Sequence, residues 1–256
     1  MGIIDRNSPI IKATIASNIY DVLVHNEMFL SKHDKFINVL SCTMELSTND
    51  TVRLWQENIS GINEYMTEPE GLYLTLYHYP RSTALIVNLL SGDVPTCYFQ
   101  LRVMLESLAC SYNVKHSKCL TSHYNTEKML EYIESVRAER ENLKSVMKNT
   151  SRKLGLSGNA SFTYLWNITS SEYIRTAGFI SRFKKEMKNS IPPAGSTVVP
   201  IRYCESDKKN LKKLGTCIAA FRVILDKVFE DFSLCDSKKA RGRMAGEYIP
   251  TMRKTD

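Results

Sequence analysis

No two cysteines in this chain are spaced as Cys-x-x-Cys, no serine sits in a Gly-x-Ser-x-Gly elbow, and no Gly-x-x-x-x-Gly-Lys-Ser/Thr loop is present. Those absences exclude the dithiol redox centre, the hydrolase nucleophile turn and the P-loop phosphate cradle. The one glycine-rich stretch, Gly155 to Asn159, reads as a turn. A basic start followed by an apolar run is also missing: Asp5, Arg6 and Lys12 interrupt the first residues, so no secretory signal is expected. The longest charge-free stretch, 154–171, is rich in Ser, Asn, Thr and Gly and is unsuited to lipid. The seven cysteines are odd in number and widely spread, which suits free thiols in a reducing compartment. Together these predict a cytoplasmic chain with no membrane partner. The sequons at Asn58, Asn149, Asn159 and Asn167 are then chance matches.

What is present is helical patterning. Residues 10–30, 34–46 and 50–66 carry apolar side chains at three- and four-residue spacing, with Pro9 at a helix-starting position. Residues 72–79 suit strand or helix, and 81–90 read as a buried helical segment closed by Ser91 and Gly92. Met129, Ile133, Val136, Leu143 and Met147 form one heptad seam, with Arg140 at its middle position; Leu211, Leu214, Ile218, Phe221, Leu225, Val228 and Phe232 form a second. Two helices are expected over 160–170 and 172–188, then a Pro- and Gly-punctuated loop over 189–204 in which 196–203 could be an isolated strand. The fold class predicted is all-α. It comprises one multi-helix bundle over 1–233, with a central buried helix and two long heptad-patterned helices, and a basic flexible tail over 234–256. The heptad seams could pair with each other, with a second copy of the chain or with a protein partner.

The central helix is 97–113, opened by Pro95. Arg102, Glu106 and Asn113 fall on one stripe; Thr96, Gln100, Ser107 and Ser111 fall on the opposite one, and apolar residues fill the space between. Arg102 and Glu106, spaced i,i+4, can meet. The pair could form a solvent stripe, fix helix register from a buried position, or place Arg102 in a polar pocket for an anion such as phosphate.

The run 101–112, LRVMLESLACSY, resembles the Arg-x-x-x-Glu helix of poorly characterised HEPN-like and abortive-infection-type helical proteins. Residues 163–176, TYLWNITSSEYIRT, resemble their second helix, with Arg175 near the place where that pattern has His. The resemblance implies a nuclease or nucleotide-handling role in which Arg102, Glu106 and Arg175 bind an anion. Active HEPN ribonucleases follow Arg with His after four to six residues, and no Arg in this chain does so. No catalytic residue is therefore assigned.

Charge is divided unevenly. Residues 1–128 hold 10 basic and 13 acidic side chains, and residues 129–256 hold 24 and 14. Lys184, Lys185 and Lys188 crowd one helix end. Lys208, Lys209, Lys212 and Lys213 crowd a helix start against the dipole preference, and Lys238, Lys239, Arg241 and Arg243 lie in the tail. These are the candidate nucleic-acid contacts, through phosphates rather than bases. Cys110, His116, Cys119 and His123 are ligand types that suit zinc, but their spacing reads as two helix ends joined by a polar turn; neither metal nor cofactor is expected. Glu68 and Glu70 beside Pro69 read as an exposed loop, and His25 and His33 as surface or boundary residues. The leading functional expectation is a non-catalytic binding or protein-interaction module.

Overall fold

The structure, a computed structural model, describes residues 9–32, 34–59, 68–116, 126–138, 140–174, 203 and 207–247. Among them every regular element is helical and no strand occurs. The order is α1 (Pro9–Lys32), α2 (Asp34–Ser47), α3 (Asn49–Asn58), the single turn α4 (Pro69–Leu72), a π-helical turn (Tyr73–His78), α5 (Tyr79–Ser91), α6 (Val94–Lys115), α7 (Thr126–Ala138), α8 (Arg140–Lys153), a 3₁₀ turn (Gly158–Ala160), α9 (Phe162–Ile174) and α10 (Lys208–Glu247).

The start of α6 follows from local chemistry. The Asp93 carboxylate accepts from the Thr96 backbone N–H at 3.2 Å and from the Thr96 hydroxyl at 2.6 Å, and Pro95 occupies the first turn. Once begun, the helix is buried on every side: only Pro95, Thr96, Phe99, Arg102 and Asn113 reach intermediate exposure, and no residue of it is exposed. A helix can be covered all round only at the centre of a bundle. The π turn, α4, α5, α7, α8, α9 and α10 all pack on it.

The described part of both heptad seams is buried within the chain. Val136, Leu143 and Met147 on one side, and Leu211, Leu214, Ile218, Phe221, Leu225, Val228 and Phe232 on the other, are buried in the chain's own core. The side chains of Met129 and Ile133 lie outside the described residues. The helices that carry the seams pack on α6, and α10 packs on α2 as well, so the described seam residues are covered by the chain itself.

Several boundaries differ from the periodicity. The helix expected over 50–66 ends at Asn58, where Ile59 turns extended at φ −125° and ψ 105°. The seam over 129–147 is carried by two helices, α7 and α8. Residues 170–172 continue α9 without a break, and α10 continues as helix past residue 234 to Glu247. The remainder of the expected helix over 172–188, and residues 196–202 of the possible strand, lie outside the described residues. Gly92 closes α5 at φ 83°, and Gly155 and Gly158, both at positive φ, form the turn read from the sequence.

Polar links fix how the helices sit. Arg222 of α10 donates to Asp50 Oδ2 at 2.6 Å and to Glu45 Oε2 at 2.5 Å, while Arg53 pairs with Glu57, Asp50 and Asp226; together they tie α2 and α3 to α10. Tyr203 locks α1 to α5. Its hydroxyl donates to the Leu89 carbonyl at 2.6 Å and its backbone N–H donates to Asn26 Oδ1, while Asn26 in turn donates to the Leu90 carbonyl. An aromatic column of Tyr73, His78, Tyr112, Phe221, Phe229 and Phe232 joins the π turn and α6 to α10, with ring centroids 5.4–6.4 Å apart.

Candidate functional site

The Arg102–Glu106 stripe faces protein. Arg102 Nε donates to Glu106 Oε1 at 2.7 Å, the indole N–H of Trp166 donates to the same oxygen at 2.8 Å, and the guanidinium carbon stands 5.5 Å from the Trp166 ring centroid. Glu106 is buried and Arg102 is partly covered. Further along the stripe, Asn113 donates to the Thr150 hydroxyl of α8 at 2.7 Å. The solvent-stripe reading is thus corrected: these polar groups fix how α6 seats against α8 and α9. Trp166 was not singled out in the sequence, because its local setting is an ordinary apolar turn and its partner lies sixty residues away. Arg175, the third anion candidate, lies outside the described residues. Replacing Trp166 with Phe keeps most of the packing but removes one donor to a buried carboxylate. It should destabilise the fold by about 1–3 kcal/mol, read as a lower urea midpoint with unchanged slope.

The basic candidates separate in the same way. Lys213 donates to Glu172 Oε1 at 2.6 Å, joining α10 to α9, whereas Lys209 and Lys212 are exposed and Lys208 is intermediate. Lys184, Lys185 and Lys188 lie outside the described residues. The backbone of Lys238, Lys239, Arg241 and Arg243 is part of α10, but their side chains also lie outside the described residues. Of the zinc-type residues, Cys110 is buried in the core, while His116 Nε2 lies 2.7 Å from Asp231 Oδ2 with its ring against Tyr112; Cys119 and His123 are outside the described residues. No group of three metal-ligating side chains occurs among the described residues. His25 is partly covered, with Nε2 3.5 Å from the Tyr203 carbonyl, and His33 is outside the described residues.

A cleft of about 510 Å³ between α3 and α10 is floored by Leu54 and Phe229 and rimmed by Arg53, Glu57, Asp226 and Glu230. Its rim carboxylates are each paired, three of them against two cations. Arg53 pairs with Glu57 and Asp226, and Lys227 pairs with Glu230. The cleft therefore presents little uncompensated charge to a ligand.

Glu70 is not in an exposed loop. It lies buried in α4, where Oε1 accepts from Lys115 Nζ at 2.6 Å; Lys115 also donates to Glu68 Oε2 at 3.1 Å. The side chains of Lys115 and Glu70 are only 2% and 3% exposed, against 45% for Glu68. Burial raises the Glu70 pKa above its ordinary value, and the ammonium opposes that rise. Within the adjoining π turn His78 is fully buried, its Nε2–H donates to the Leu46 carbonyl at 3.1 Å, and burial lowers its pKa to about 4.

The segment expected to be buried, 81–90, is buried on one side only. Ser82, Leu85 and Leu89 face the core, while Leu76, Tyr79, Pro80, Thr83 and Val87 form an exposed stripe along the π turn and α5. Tyr79 and Val87 are 56% and 57% exposed. Exposed Met44 of α2 belongs to the same side of the molecule, since the hydroxyls of Ser47 and Thr83 lie 3.4 Å apart. Between residues 71 and 91 the single Lys, Arg, Asp or Glu is Arg81, directed at Gln100 Oε1 at 3.4 Å. In a chain with 24% charged residues this is an uncharged, largely apolar face. Among the described residues no helix is long and apolar enough to cross a membrane. Comparisons of the chain with protein-family models, curated proteins and solved structures give no match.

Proposed function

We propose that this chain is a non-catalytic protein-interaction module, and that its contact face is the outward stripe of the π turn and α5. The observation that carries this reading is the exposure of Leu76, Tyr79 and Val87 on a segment without acidic residues, whose one arginine is turned aside. Such a face desolvates without stripping water from a charge. Covering these three half-exposed side chains would contribute roughly 1 kcal/mol each. Tyr79 supplies a rigid ring of the kind that anchors protein interfaces. The nuclease or nucleotide-handling alternative needs Arg102 directed at a substrate, whereas its Nε donates to Glu106.

The test is site-specific crosslinking in the cell. With a photoreactive residue at position 87, a discrete heavier adduct is expected. A probe at exposed Lys148 on α8 should give none, and Tyr79→Glu should abolish the adduct from position 87. An adduct that also forms in purified protein identifies a second copy of the chain as the partner. Probes at positions 76, 79 and 87 that all fail to give a discrete product would sink the proposal.

A further inference from the structure

Three contacts fix the register between the 70–85 segment and α6: Glu70 meets Lys115, Arg81 reaches Gln100, and Cys97 Sγ donates to the Leu85 carbonyl at 3.7 Å. The two segments therefore run antiparallel. Tyr73 comes level with Ser111, and the second half of the π turn comes level with Ser107. Ser107, Ser111 and Lys115 are spaced i, i+4, i+8 and share one stripe of α6.

Five polar atoms of the π turn and its flanking stripes are buried with no hydrogen-bond partner among the described residues: Glu70 Oε2, the Tyr73 hydroxyl, Ser107 Oγ, Ser111 Oγ and His78 Nδ1, the last on a ring turned toward Leu46 and Phe221. The two serines contrast with four other buried helical hydroxyls. Thr43, Thr51, Ser151 and Thr169 each donate to a carbonyl of the preceding turn, the usual refuge of a hydroxyl inside a helix, but Ser107 and Ser111 do not. A π turn is an uncommon, widened element, and this one carries Tyr73 and His78, each with an orphaned polar atom. An isolated buried hydroxyl or carboxylate oxygen is costly, and several on facing stripes need a shared partner.

We propose that the seam between the π turn and α6 is an internal hydration site, in which ordered water bridges Tyr73, Ser111, Ser107 and Glu70. Water is the partner that fits. It donates to Glu70 Oε2, accepts from the Tyr73 hydroxyl, and satisfies a serine in either sense, making about three hydrogen bonds in all. The Lys115 end of the seam adjoins Glu68, whose carboxylate reaches solvent and marks the side of exchange.

The sign of a stability change tests this in the full chain. If water occupies the seam, Tyr73→Phe and Ser111→Ala each strand a bridging molecule, and the unfolding constant should rise about three- to tenfold. If the seam is dry, each change removes an orphaned group and the unfolding constant should fall below that of the parent. Tyr73→Phe is the cleaner variant, since it alters neither ring packing nor helix propensity. Water-to-amide cross-relaxation at residues 73, 107 and 111 gives the second reading. Signals from long-lived water are expected, and either their absence or stabilisation by Tyr73→Phe overturns the proposal.

Discussion

Lys115→Met is expected to destabilise the fold by about 3–5 kcal/mol at pH 7. Methionine preserves the length and most of the volume of the side chain, so packing contributes little to the loss. What disappears is the ammonium that holds Glu70 Oε1 at 2.6 Å in a setting where both side chains are almost wholly buried. The Glu70 carboxylate then has to be held uncompensated or protonated. Its folded-state pKa is already raised by burial, and removing Lys115 raises it further. A carboxyl with a raised folded pKa contributes fully below its unfolded value, about 4.5, and loses that contribution as pH climbs toward the folded value. The gap between Lys115→Met and the parent should therefore narrow as pH falls from 7 toward 4.5. Urea denaturation of both proteins at several pH values measures that gap, and the double variant Glu70→Gln with Lys115→Met should recover most of the loss. A gap independent of pH would show that packing, not charge, is responsible.

Acid is expected to remove about 3 kcal/mol of stability through His78 alone. Its imidazole is fully buried, and its Nε2–H is committed to the Leu46 carbonyl. Tyr73 and Phe221 flank the ring, and the nearest charge acting on it is Asp50, which is engaged by Arg222. Burial therefore dominates and depresses the folded pKa from 6.5 to about 4. The unfolded chain binds a proton that the folded one refuses throughout that window, so this contribution is present above pH 6.5 and lost as pH falls toward 4. Two and a half pKa units correspond to about 3 kcal/mol. Glu70 acts in the opposite sense, which makes a variant necessary to isolate the histidine. His78→Gln keeps a donor for the Leu46 carbonyl and does not titrate, so its stability should fall less steeply across this range. Parallel pH profiles for parent and His78→Gln would contradict the assignment.

The helices were legible because their determinants are local. Pro9 at the first helix, Pro95 before the central one, Gly92 after α5, and apolar side chains every three or four residues are all signals contained within a few turns. The centrality of α6 was legible too, since a segment apolar on nearly every side has to be surrounded. The same reasoning misplaced α5, which is equally poor in charge yet lies with one face outward. Local composition does not state whether neighbours exist to cover a second side. A length was misread where a break depends on context, as at Asn58.

The polar residues were the least legible. Arg102 and Glu106 read as one of three things from their i,i+4 spacing, and Trp166, which donates to the buried Glu106 carboxylate, removed the solvent stripe. Glu70 beside Pro69 had the composition of a loop, yet Lys115, forty-five residues on, draws it into the interior. Burial of a charge depends on a partner brought near by folding, and nothing in the surrounding sequence encodes that partner's position. The sequence by itself thus determined that this chain is helical and which helix stands at its centre, because hydrogen-bonded turns and apolar stripes are short-range. Only the tertiary structure decided which charges are locked inside, which hydroxyls are left to share water, and that the stripe of Leu76, Tyr79 and Val87 remains uncovered.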